Sequence, residues 1–187
     1  MTKVDIWNMA LGAVGHDTRV ESETEDSAEA GRCRLFWDLA RRACLRRADW
    51  GFAMERGPLG RAAAVDAHGA WYPAPRAVRL CGVWDAAGRP VRARLERGMI
   101  LLAVGGEGAT ARYVRDSEDP DEWDAEFASC MVFRLAEALA FPMTGKSSLT
   151  QAMHERWLSA LGEAKQDDAD ESRETGRPAE MYAQARA

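Results

Sequence analysis

Apolar residues recur at helical spacing from the start of the chain. Val4, Trp7, Leu11 and Val14 fall on one face of a helix, Thr2 and Asp5 supply a capping-box start, and Gly15 ends it. Ser22 and Glu25 form a second capping-box pattern. It predicts a long helix to about Arg47, with Cys33, Phe36, Trp37, Ala40, Ala43 and Cys44 on its buried stripe. Residues 51–75, with Gly57-Pro58, Gly60, Gly69, Pro73 and Pro75, read as irregular. The period then changes to two. VRLCGVW (78–84), PVRARLE (90–96), MILLAV (99–104) and TARYVR (110–115) are predicted strands, and breaks as short as RG and GGEG make them an antiparallel meander.

Helical spacing returns after residue 118. Asp119-Pro120 is the expected start of a third helix, with Trp123, Phe127, Met131, Arg134/Leu135 and Leu139 on its core side and Pro142 as its stop. Ser147 or Ser148 caps a fourth, striped by Leu149, Met153, Trp157, Leu161 and Ala164. The stripe is lost beyond Ala164, where acidic residues crowd. The expected fold is therefore α+β and mainly α. Residues 1–50 and 116–165 form a bundle of about four helices, residues 51–115 a small antiparallel sheet inserted between helices two and three, and residues 166–187 a C-terminal extension.

Charge alters this picture locally. The net charge is −5, which argues against non-specific adhesion to nucleic acid, a property that needs a basic footprint. Yet residues 51–114 hold nine basic and five acidic groups, and residues 115–187 hold eight and sixteen. Such asymmetry suits complementary faces, including faces on separate copies of the chain. Arg41, Arg42, Arg46 and Arg47 crowd the end of the second helix, where cations complement the helix dipole. Trp50 and Phe52 follow and would plug the bundle where the chain leaves for the sheet.

Candidate chemistry is sparse. Cys33, Cys44, Cys81 and Cys130 lie far apart in apolar patterns, so reduced structural thiols are expected rather than a nucleophile. His16, His68 and His154 are too dispersed for a zinc site, and DDADE (167–171) lacks the glycine of a calcium loop. MTGKSS (143–148) ends like a phosphate-binding loop, but Ala140 stands where that motif needs glycine, so Lys146 is expected in a helix–helix turn. No catalytic, cofactor-binding or metal-binding residue is assigned. No apolar run approaches the roughly 20 residues of a membrane-spanning helix. With no signal peptide, a soluble chain made in a cytosol is expected.

The order of these pieces carries a resemblance. ALGAVG (10–15), the acidic start and arginine-rich end of residues 23–53 closing on Trp50-Gly51-Phe52-Ala53, Tyr72-Pro73, a short sheet, and the hairpin of residues 121–157 follow one another. This order resembles the tail tubular protein A family, the head-to-tail adaptors (connectors) of short-tailed bacteriophages. The resemblance implies a structural virion protein with no enzymatic activity and no cofactor. It would form a ring, typically of twelve subunits, on the phage portal protein, and would join it to the tail nozzle protein at the head–tail junction. Genome DNA would only pass through the channel, and no membrane would be involved. The alternative is a regulatory protein that binds nucleic acid through Arg41, Arg42, Arg46 and Arg47.

Overall fold

The computed structural model describes residues 1–74, 76–103 and 106–175, and of residues 167–175 the helical backbone alone. Helix α1 (Lys3–Ala13) begins as its sequence dictates: the Thr2 hydroxyl accepts from the Asp5 amide, and the Asp5 carboxylate accepts from the Thr2 amide at 2.9 Å. Helix α2 (Ala28–Leu45) starts later than the Ser22–Glu25 pattern predicts. The Glu25 carboxylate accepts the Glu21 amide at 2.6 Å and holds a turn instead, leaving Ser27 as the cap that accepts from the Ala30 amide. Similarly, Asp119-Pro120 opens only a 3-10 turn over Pro120–Glu122. Trp123 is extended, and helix α3 (Ala125–Thr144) is capped by Asp124, which accepts from the Phe127 amide at 2.6 Å. Pro142 does not stop α3 but lies inside its last turn, where it forfeits a single backbone bond. The stop is Gly145, whose φ of 69° places it in the left-handed region and whose amide donates to Phe141 O at 2.8 Å. Helix α4 (Ser147–Thr175) continues past the stripe that ends at Ala164, so the first part of the assigned extension is helical. Residues 176–187, including Met181 and Tyr182, lie outside the described residues.

Among the described residues, seven strands rather than four separate α2 from α3. They are β1 (Met54–Pro58), β2 (Ala64–Asp66), β3 (Gly69–Pro73), β4 (Ala77–Trp84), β5 (Ala93–Glu96), β6 (Met99–Leu102) and β7 (Thr110–Arg115). They form two antiparallel sheets, of order β1-β7-β4 and β2-β3-β6-β5, so the four expected strands are not one meander. Strands β5 and β6 do make the expected hairpin. Strand β7, however, leaves β6 and pairs with β1 and β4. The intervening loop is held down where the Gly106 amide donates to the buried Tyr72 hydroxyl at 2.7 Å. A Cβ at Gly106 would come within 2.4 Å of the Leu102 side chain and 3.0 Å of the Tyr72 hydroxyl, so a larger residue would have to push Leu102 aside.

Helix α3 is the centre of the bundle, with α1, α2 and α4 packed around it. By length and composition it meets the criterion for a membrane span, with a mean hydropathy of 1.3. No uninterrupted apolar run reaches that length, because Arg134 and Glu137 break it, yet the average over the helix stays high. Its apolar face is instead the bundle core. Phe127, Met131, Leu135 and Leu139 are fully buried there. Trp37 stacks on Trp123 at 5.7 Å between ring centroids and meets the Trp7 ring edge-on at 6.2 Å. The Trp50 ring lies edge-on to Phe127 at 4.9 Å, and its indole N–H donates to Cys44 O at 3.0 Å, which seals the bundle as expected.

Candidate functional site

Helix α2 has two kinds of unusual residue. The first is its arginines, which the structure distributes among different tasks. Arg41 is buried at 1% exposure; its guanidinium donates to the Asp116 carboxylate and, at 2.8 Å, to Ser117 O. Arg42 approaches the other Asp116 oxygen at 2.9 Å from the solvent side. Arg46 donates to Val78 O in β4, and Arg47 lies 5.3 Å over the Trp157 ring of α4. The four do not form one face. Arg41 is unavailable to any external ligand, because a buried guanidinium with a buried carboxylate partner is a fixed structural tie. Together with Arg79 and Arg112, which both grip Asp49 just after α2, Arg41, Arg42 and Arg46 fasten the sheets to the bundle, whereas Arg47 joins α2 to α4.

The second kind is apolar residues turned outward. Leu35 and Leu39 lie one turn apart on the side of α2 opposite Cys33, Trp37 and Ala40, and they are 72% and 66% exposed. Phe141, at the end of α3, is 59% exposed. A cleft of about 110 Å³ lies between α2 and the α3–α4 hairpin, lined by Phe36, Leu39, Arg134, Glu137, Ala138 and Thr150. It opens into a shallower one bounded by Glu137, Phe141, Thr150, Gln151 and His154. Helix α3 is thus the floor of a groove, with α2 and α4 as its walls. Its polar centre is ordered: Glu137 accepts from Arg134 at 2.5 Å and pairs with His154 at 3.2 Å. An ordered ion pair ringed by exposed leucine and phenylalanine is what a protein-binding surface needs: apolar area to bury and polar groups already positioned. Sequence reading missed this surface, although Leu35 and Leu39 at helical spacing off the core stripe were its signal.

The residues weighed for chemistry fall elsewhere. Cys33, Cys44 and Cys130 are fully buried, and burial pushes the thiol of each up to about 12. Cys81 is half-buried, and its thiol is also raised, chiefly by burial. His16 pairs with Glu29 at 3.0 Å, remote from His154. Lys146 stands in the turn between α3 and α4, where its amide donates to the Thr144 hydroxyl at 3.2 Å. Among the described residues, no group of three His, Cys, Asp or Glu side chains is placed to hold a metal ion. Compared with known proteins, the chain matches no family model and no curated sequence.

Proposed function

We propose that this chain is a virion structural protein, a head-to-tail adaptor that assembles as a ring between the phage portal and the tail nozzle and leaves a channel for DNA. The observation that carries the reading is the groove across α2, α3 and α4, with Leu39 and Phe141 exposed in its lining and Leu35 exposed one turn away on α2. A folded chain with an ample tryptophan core has no need to leave these side chains in water, and an exposed apolar patch marks a place where another protein binds. In a ring, each subunit uses one surface to meet a different surface of its neighbour. The ring of twelve and the portal and nozzle partners come from the resemblance of the sequence order to the adaptor family. The nucleic-acid alternative through the α2 arginines loses Arg41 to the interior and Arg47 to the Trp157 ring.

The experiment is sedimentation of the wild-type chain and the Leu35→Asp/Leu39→Asp variant, alone and with portal protein. The expected result is portal-dependent assembly by the wild type and none by the variant, with the two chains melting within about 1 kcal/mol of each other, as exposed substitutions do. Full assembly by the variant would remove the groove from the interface.

A further inference from the structure

A second concavity lies between the end of α2 and the two sheets, on the residues that fasten the bundle to the insertion. It has a volume of about 390 Å³ and is lined by Arg42, Arg46, Arg76 and Arg97, by Ala77, Val78, Leu95 and Gly98, and by Asp116. Four guanidinium groups therefore face one carboxylate. That carboxylate is already bound from beneath by the buried Arg41. Glu118 offers Arg76 only a long contact of 3.8 Å, with both side chains more than 60% exposed. Arg46 has a neutral carbonyl as its partner. Arg97 makes no ion pair or side-chain hydrogen bond among the described residues. The cleft thus carries positive charge that the fold does not neutralise, in a chain whose net charge is −5.

The backbone at Arg97 adds an independent observation. Arg97 and Gly98 are the two residues of the β5–β6 turn, with φ of 51° and 71°. Such a turn favours asparagine or glycine at its first position, and an arginine there is the only described non-glycine residue with positive φ. The strain brings no packing in return, because Arg97 is exposed. What it does bring is a fourth guanidinium at the mouth of the cleft.

We infer that this cleft binds phosphate groups through Arg42, Arg46, Arg76 and Arg97, the ligand being a nucleic-acid strand or a small phosphorylated molecule. Arginine forks recognise oxyanions by paired N–H donors. A phosphate, with several acceptor oxygens spread around one atom, can accept from guanidiniums that converge from α2, the β3–β4 connection and the β5–β6 turn. A carboxylate presents only two oxygens in one plane, and each oxygen of the one in the cleft already has a guanidinium partner, Arg41 or Arg42. The apolar floor of Val78 and Leu95 leaves room beside the phosphate for an organic group. This site is independent of the adaptor reading, and its arginines lie outside the α2–α3–α4 groove.

The test is fluorescence anisotropy with a short labelled single-stranded oligonucleotide at low salt, competed with inorganic pyrophosphate and with polyglutamate. The variants are Arg97→Gly and Arg76→Glu. Arg97→Gly suits the turn, so its melting temperature is expected to hold or rise, while affinity falls about tenfold for the lost charge-assisted contact. Arg76→Glu is expected to weaken binding more and to flatten its salt dependence. Displacement of the oligonucleotide by pyrophosphate identifies the shared phosphate chemistry. If pyrophosphate binds by calorimetry and the oligonucleotide does not, the ligand is the small phosphorylated molecule. Failure of both probes to bind, unchanged affinity in both variants, or equal competition by polyglutamate would each overturn the inference.

Discussion

The bundle and the β insertion are built on different principles, although one chain makes both. The bundle interior is aromatic and continuous: Trp7, Trp37, Trp123, Phe127, Trp50 and Phe52 touch in series. The buried cluster of the sheets consists mainly of small residues, Ala70, Ala74, Val83, Ala109 and Ala111, around Tyr72, Ile100 and Leu102. Large rings bury the most apolar area per residue, so the bundle carries the stability. The insertion is fastened to it through polar ties: Arg41 and Arg42 to Asp116, Arg79 and Arg112 to Asp49, and Arg115 to Glu122 at 2.6 Å. The α2 arginines thus divide their work: Arg41 is spent on the tie to Asp116 and Arg47 on Trp157, while Arg42 and Arg46 line the cleft between bundle and sheets.

Removing the bundle's seal should have the largest effect. Trp50→Ala is expected to cost about 3–5 kcal/mol, read by urea denaturation; an unchanged midpoint would break the claim that the aromatic bundle holds the fold. Asp116→Ala should follow at about 3 kcal/mol, because it strands a buried guanidinium. Joining it with Arg41→Met should restore most of that loss. If the double variant is as weak as the single one, the tie is more than a buried ion pair. Alkaline pH separates the regions further. Cys44 has a folded thiol pKa of about 12 against an ordinary 9.0. Between those values the unfolded chain loses a proton that the folded chain keeps, so stability falls as pH rises, by about 1.4 kcal/mol per unit for a fully buried thiol. Cys33 and Cys130 act in the same direction. Replacing the three with alanine should flatten the decline in melting temperature above pH 9; an equally steep decline would place its cause in the sheets, where burial and Glu55 raise Tyr113 from 10.0 to about 12. The smallest change is expected from Asp49→Ala. Its ion pairs with Arg79 and Arg112 are about one-third exposed, and about 0.5–1 kcal/mol is at stake.

What was legible in the sequence follows from range. The capping box at Thr2 and Asp5 involves neighbours, and it forms as read. The same kind of pattern at Ser22 and Glu25 fails because Ser27 offers a second cap close by and Glu25 turns back to the Glu21 amide. Strands β1 and β3 escaped notice because their glycines and prolines mimic loop text. Strand β1 exists only through pairing with β7, which places Met54 opposite Val114. The burial of Arg41 depends on Asp116, and no local pattern connects residues that far apart. The groove was legible in part: Leu39 is visible in the sequence, but the cleft it lines with Arg134, Glu137 and Thr150 requires the α3–α4 hairpin to fold against α2.

The central claim is that the exposed face of the bundle exists to bring copies of the chain together on a portal. Electron microscopy of the protein mixed with portal protein tests it most directly. A closed ring seated on the portal is expected with wild type and with Arg97→Gly, and none with Leu35→Asp/Leu39→Asp. Bare portals beside a chain that remains monomeric would contradict it.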